Sequence, residues 1–159
     1  MSESLIAVLE KLYKVHESLY NLALEKTNII KANDMESLQK LLRNEQTHVT
    51  ALHTVEAERQ KLAKSFLQTN KEVTISDCIE VADPEMKEKL SFLQKEILHM
   101  VEKLQEQNEL NQSLIYLSLQ FVNMTIDMIQ PKPESYIYGR PNASQTPKKP
   151  SFTAFDSKA

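Results

Sequence analysis

Glycine occurs once in the 159 residues, cysteine once, and tryptophan not at all. So little glycine leaves almost no material for hairpin turns or for a phosphate-cradling loop. The single Cys78 excludes an internal disulfide and any multi-cysteine metal site. Its bland role is that of a small buried apolar residue. Histidine is scarce too: His16, His48, His53 and His99 are the four. None forms an i, i+4 pair or an HExxH motif, so no metal ligand set is expected. No GxSxG elbow is present either. Acidic residues are plentiful, but on slender helices they form solvated faces more often than catalytic pairs. No enzymatic activity and no cofactor are expected. No charged-then-apolar leader opens the chain, so a cytoplasmic location is expected.

What is present is leucine, lysine, glutamate and glutamine, the composition of long helices. In the first segment Leu5, Val8, Leu12, Val15, Leu19, Leu22 and Ile29 recur in alternating three- and four-residue steps, broken at Lys26. Leu9, His16, Ala23 and Ile30 widen that stripe, and Ser2 or Ser4 is placed to cap it. A helix is expected over about 4–31. Asn33 or Asp34 then caps a second helix over about 35–68, with a seam of Met35, Leu38, Leu41, Leu42, Val49, Leu52, Val55, Leu62 and Phe66. Glu45, Glu56 and Arg59 fall on or beside it as a candidate charge cluster. Residues 69–83 lose the period and read as a loop. Asp83-Pro84-Glu85 opens a third helix, and nothing breaks it before Pro131. The fold class is therefore all-α: an elongated antiparallel three-helix bundle or coiled coil over 1–130, then a flexible proline-containing tail over 131–159.

The third helix is the odd one. Residues 110–130 carry two apolar stripes: Leu110, Leu114, Leu117, Phe121, Met124 and Met128, and Ile115, Leu119, Val122, Ile126 and Ile129. A bundle helix normally needs one. Its expected length is about 70 Å, against about 42 and about 50 Å for the other two. The excess falls at this double-striped end, which makes it a candidate binding surface. Asn108 and Asn111 precede it as a polar notch, of the kind that fixes register.

Charge narrows the partner. Between Lys103 and Lys132 the charged residues are Glu106, Glu109 and Asp127. A run without cations is poorly suited to a membrane surface. Asn111, Gln112, Gln120, Asn123 and Asp127 interrupt it, so no membrane insertion is expected. Residues 131–159 carry five cations against two anions, leaving the first 130 with a net charge of −6. An acidic body argues against nucleic acid. In the tail, Tyr136-Ile137-Tyr138-Gly139 and Phe152-Thr153-Ala154-Phe155-Asp156 are aromatic islands, expected either to dock to a partner or to pack back onto the bundle.

Several stretches resemble the FlgN family of flagellar type III export chaperones. Tyr13 and Tyr20 resemble the early tyrosines of its opening helix. Asn33-Asp34-Met35-Glu36-Ser37-Leu38 resembles its polar junction, and Glu56-Ala57-Glu58-Arg59 with Leu62 its Glu-x-x-Arg stretch. Asn108-Glu109-Leu110-Asn111-Gln112-Ser113-Leu114 resembles the opening of its C-terminal helix. Tyr138-Gly139 and the final Phe155-Asp156-Ser157-Lys158-Ala159 resemble its tail motifs. Residues 69–83 and 140–151 match nothing in particular. The resemblance implies a chaperone that holds the C-terminal helices of the hook–filament junction proteins FlgK and FlgL. It also implies delivery of them to the cytosolic domain of FlhA at the export gate. The client would lie on Leu114, Leu117, Phe121, Met124 and Met128, with Ile115, Val122 and Ile126 on the other stripe. Tyr136, Tyr138 and Gly139 would dock to the gate. The alternative is a structural coiled-coil homodimer without a client.

Overall fold

The computed structural model describes residues 2–129. Four helices follow one another: α1 (Ser2–Ala32), α2 (Met35–Leu67), α3 (Ile75–Val81) and α4 (Pro84–Ile129). No strand occurs among the described residues. The chain divides into two compact units, Met1–Ser118 and Leu119–Ala159.

The first unit is a bundle. Lys11 pairs with Glu58 and Lys26 with Glu45, so α1 and α2 run antiparallel. Tyr20 lies under Lys103 and Thr27 meets Gln107, so α4 runs parallel to α1. The order is up, down, up. Both turns out of the long helices are made without glycine. Asn33 takes φ 54° and Gln68 takes φ 52°. At the first turn, the Asn33 and Asp34 amides donate to the Ile30 and Ile29 carbonyls. At the second, Gln68 and Thr69 donate to Ser65 and Lys64. Each pair satisfies carbonyls that a helix end leaves open. Of the two candidate caps, Asp34 caps α2, accepting from the Ser37 amide at 3.1 Å. Ser2 and Ser4 do not cap α1, because the helix already includes both. Asp83 caps α4 as expected, accepting from the Met86 amide at 2.8 Å.

The core is thickest where α1 begins. Leu5, Val8, Leu9 and Leu12 of α1 pack with Ala63 of α2, Val73, Cys78, and Met86, Leu90 and Ile97 of α4. Leu9 and Leu90 are fully buried, each contributing about 2 kcal/mol of apolar burial. Leu19, Ala23 and Leu104 form a smaller second cluster. Of the α1 seam, Leu5, Val8, Leu12, Leu19 and Leu22 are buried as the spacing predicts, and Val15 and Ile29 are half-buried. The α2 seam is less so: Met35 and Leu42 are exposed, while Ala63 and Arg59 are buried.

Residues 75–81 correct the loop reading. They form α3, a single short helix opened by a reciprocal cap. The Asp77 amide donates to Thr74 Oγ1 at 3.2 Å, and the Thr74 amide donates to an Asp77 carboxylate oxygen at 2.8 Å. Two such bonds nucleate a turn too short to show a helical period. α3 sets Cys78 into the core at 1% exposure. Burial raises the thiol above its ordinary range, which keeps it protonated and unreactive.

Candidate functional site

Two features stand out: a polar layer in the first unit, and an apolar stretch on α4. The layer begins with Lys26, the residue that breaks the α1 heptad. Its ammonium group is buried and pairs with Glu45 of α2. The expected cluster of Glu45, Glu56 and Arg59 is thus split. Glu45 lies about three to four helical turns before the other two on α2 and meets Lys26 there. Arg59 forks onto Glu56 and also donates to the Val73 carbonyl at 3.3 Å. Gln60 makes two bonds to the Val73 backbone, at 3.1 and 3.4 Å. Arg59 and Gln60 therefore hold the chain that leads into α3.

One residue after Lys26, Thr27 joins Gln107 and Asn111. Gln107 donates to the Thr27 hydroxyl, and Asn111 donates to the Ala23 carbonyl at 2.8 Å. The single Thr27 hydroxyl proton is shared between the Asn111 oxygen and the Ala23 carbonyl. Asn111 is 2% exposed, whereas Asn108 is only half-buried. Every buried side-chain polar atom among the described residues has a partner. α4 passes through both asparagines without a break.

Asn111 is also the last buried residue of α4. Leu114 and Ile115 are half-buried, and Leu117 is exposed. In the second unit, the described residues 119–129 are helical, and all but Thr125 are exposed. Leu119, Phe121, Val122, Met124, Ile126, Met128 and Ile129 are among them, with Phe121 at 70% and Met128 at 77%. Both stripes are therefore open along this segment. Tyr116, which belongs to neither stripe, is exposed as well. An aromatic between two apolar rows was the signal for it. Phe92 and Leu98 of α4 also lie exposed, earlier on the helix. Tyr136, Tyr138 and Gly139 lie outside the described residues.

Among the described residues no group of His, Cys, Asp and Glu is placed to hold a metal ion. No helix among them is long and apolar enough to cross a membrane. What the α4 segment offers is contact area: aliphatic, aromatic and thioether side chains, with Asp127 the one formal charge over 119–129.

The fold and this surface define an all-helical bundle protein whose distinctive feature is an apolar helix face. The chain belongs to the FlgN family, whose description, FlgN protein, matches residues 1–146. That is a family of flagellar export chaperones. The chain is also similar to the uncharacterized protein YvyG of Bacillus subtilis (strain 168), at 32% identity over 158 residues, covering 99% of each chain. No solved structure matches it.

Proposed function

We propose that this protein is a cytoplasmic type III export chaperone for the hook–filament junction proteins FlgK and FlgL. An amphipathic helix from the client's C-terminus packs on Leu114, Leu117, Phe121, Met124 and Met128, and Ile115, Val122 and Ile126 complete the surface from the second stripe. Tyr136, Tyr138 and Gly139 dock the complex to the cytosolic domain of FlhA.

The observation that carries this reading is the run of exposed apolar side chains at the end of α4. Membership of the FlgN family supports a flagellar client. Methionine suits a surface that must accept more than one client helix, because its unbranched chain repacks at little cost. Covering five such side chains contributes roughly 8–12 kcal/mol gross. Association and side-chain ordering remove much of that, leaving submicromolar binding.

Calorimetry of the full chain with FlgK tests it. Phe121→Asp weakens FlgK binding at least a hundredfold, with the far-ultraviolet circular dichroism unchanged. Loss with Val122→Asp instead assigns the client to the other stripe. Equal affinity of wild type and both variants would sink the assignment. Light scattering separates the homodimer reading: a one-to-one complex with FlgK supports the chaperone, and a tight dimer that ignores FlgK opposes it.

A further inference from the structure

A second apolar opening lies wholly within the first unit, between α1 and α4. It is an open cleft of about 430 Å³, lined by Ile6 and Ala7 of α1 and by Phe92 and Leu93 of α4. Phe92 is 62% exposed. An aromatic ring left in water beside an apolar cleft is the kind of anchor that a packed partner buries. The rest of the groove follows from spacing. Ile6, Tyr13 and Tyr20 succeed one another at seven-residue intervals, and each is half-buried. Seven residues make about two helical turns, so the three form one line along the side of α1. α4 supplies the opposite wall, where Leu93 and Glu96 are half-buried. Lys103 sits 5.2 Å from the centre of the Tyr20 ring and closes the far end. From Glu3 to Tyr20 the groove runs about 25 Å, or about five turns.

Its charge is one-sided. Glu3, Glu10 and Glu17 form a second line, each three residues before Ile6, Tyr13 or Tyr20, and all three are exposed. Glu85 and Glu96 add to them from α4. The cations along the groove are Lys14 and Lys89, so five carboxylates stand against two ammonium groups. Lys89 is already engaged by Glu85 at 3.1 Å. Lys14 makes no ion pair among the described residues. A second copy of this face would set like rows of carboxylates against each other, which opposes association. Membrane surfaces and nucleic acids are anionic and are repelled in the same way. An apolar line flanked by carboxylates every seven residues is complemented by a helix whose own apolar seam is flanked by Lys or Arg at that spacing.

We propose that the groove between α1 and α4 is a second protein-docking site, made of residues distinct from those at the end of α4, and that it takes a cationic amphipathic helix of about five turns. Apolar side chains of that helix cover Phe92 and enter beside Ile6. Its Lys or Arg residues pair with Glu3, Glu10 and Glu17.

The test is fluorescence anisotropy of a labelled synthetic peptide of about 18 residues, with a leucine seam and lysine flanks, titrated with the full chain. The chain binds it at least tenfold more tightly than the same peptide with glutamate flanks. Phe92→Ser weakens binding at least tenfold, and so does Glu3→Gln/Glu10→Gln/Glu17→Gln, with the circular dichroism of both variants unchanged. Phe121→Asp leaves the affinity in place. No binding by wild type, or binding that both groove variants leave unaltered, overturns the proposal. A loss caused by Phe121→Asp and not by Phe92→Ser also overturns it, assigning the peptide to the end of α4. So does a wild-type dimer that Phe92→Ser dissociates, seen by light scattering, because a second copy then holds the groove. None of these measurements involves FlgK, so this inference and the proposed client fail separately.

Discussion

Gln68 carries a cost that glycine would not. An L-residue with a Cβ loses roughly 1 kcal/mol in the left-handed region. Gln68 sits there at φ 52° to close α2. Gln68→Gly is expected to raise unfolding stability by about 1 kcal/mol, read as a higher urea midpoint at unchanged slope. The scarcity of glycine is thus visible as local strain at a named turn. Arg59 works in the opposite sense. It is buried, forked onto Glu56, and bonded to the Val73 carbonyl. Arg59→Ala unpairs Glu56 and removes one of the two donors to the Val73 carbonyl, with Gln60 remaining, and costs about 2 kcal/mol. Hydrogen exchange in Ile75–Val81 should accelerate more than in the centre of α1, because α3 hangs on that latch.

At the scale of elements, the helix starts carry a pH dependence. Hydrogen bonds from Ser37, side chain first and then backbone, hold the Asp34 carboxyl below its ordinary value of 3.8. Thr74, backbone first, does the same for Asp77. A carboxylate whose folded pKa is depressed contributes stability above its unfolded pKa and loses it as pH falls through the folded value. Stability should therefore hold steady down to about pH 4 and decline below it. Asp34→Asn/Asp77→Asn should flatten that decline, measured by thermal melts across the acid range. The polar layer gives a second test. Asn111→Leu alone takes a donor from the Ala23 carbonyl and an acceptor from the Thr27 hydroxyl, and costs about 1–2 kcal/mol. Thr27→Val also takes the acceptor from Gln107, so the two losses should be less than additive, read as a coupling energy in a double-mutant cycle.

These elements also show what the residues alone reveal. The α1 seam and the Asp83-Pro84 start were legible because period and cap chemistry are local. α3 was hidden because seven residues are too few for a period, although Thr74-Ile75-Ser76-Asp77 spells a capping box. Lys26 read as a fault in a heptad, and nothing local reveals that Glu45 answers it. Met35 and Leu42 of the α2 seam face outward, because one helix against two neighbours buries a stripe that drifts from the heptad. The apolar excess of α4 was plain in its sequence. The surface it forms required knowing that burial stops at Asn111.

At the scale of the molecule, the chain spends its apolar residues unevenly. The bundle of the first unit encloses Met86 and Met100, both at 7% exposure, while Met124 and Met128 stand in water at 63% and 77%. The thioether of an exposed methionine is open to oxidation, and the sulfoxide is polar and chiral. The proposed client face of α4 is therefore also chemically perishable. Mild peroxide should modify Met35, Met124 and Met128 before Met86 and Met100, as peptide mass spectrometry resolves. Oxidation at Met124 and Met128 should disable the face while leaving the bundle's melting temperature in place. Under the proposed function, an oxidised cell would lose client binding before the bundle lost its fold.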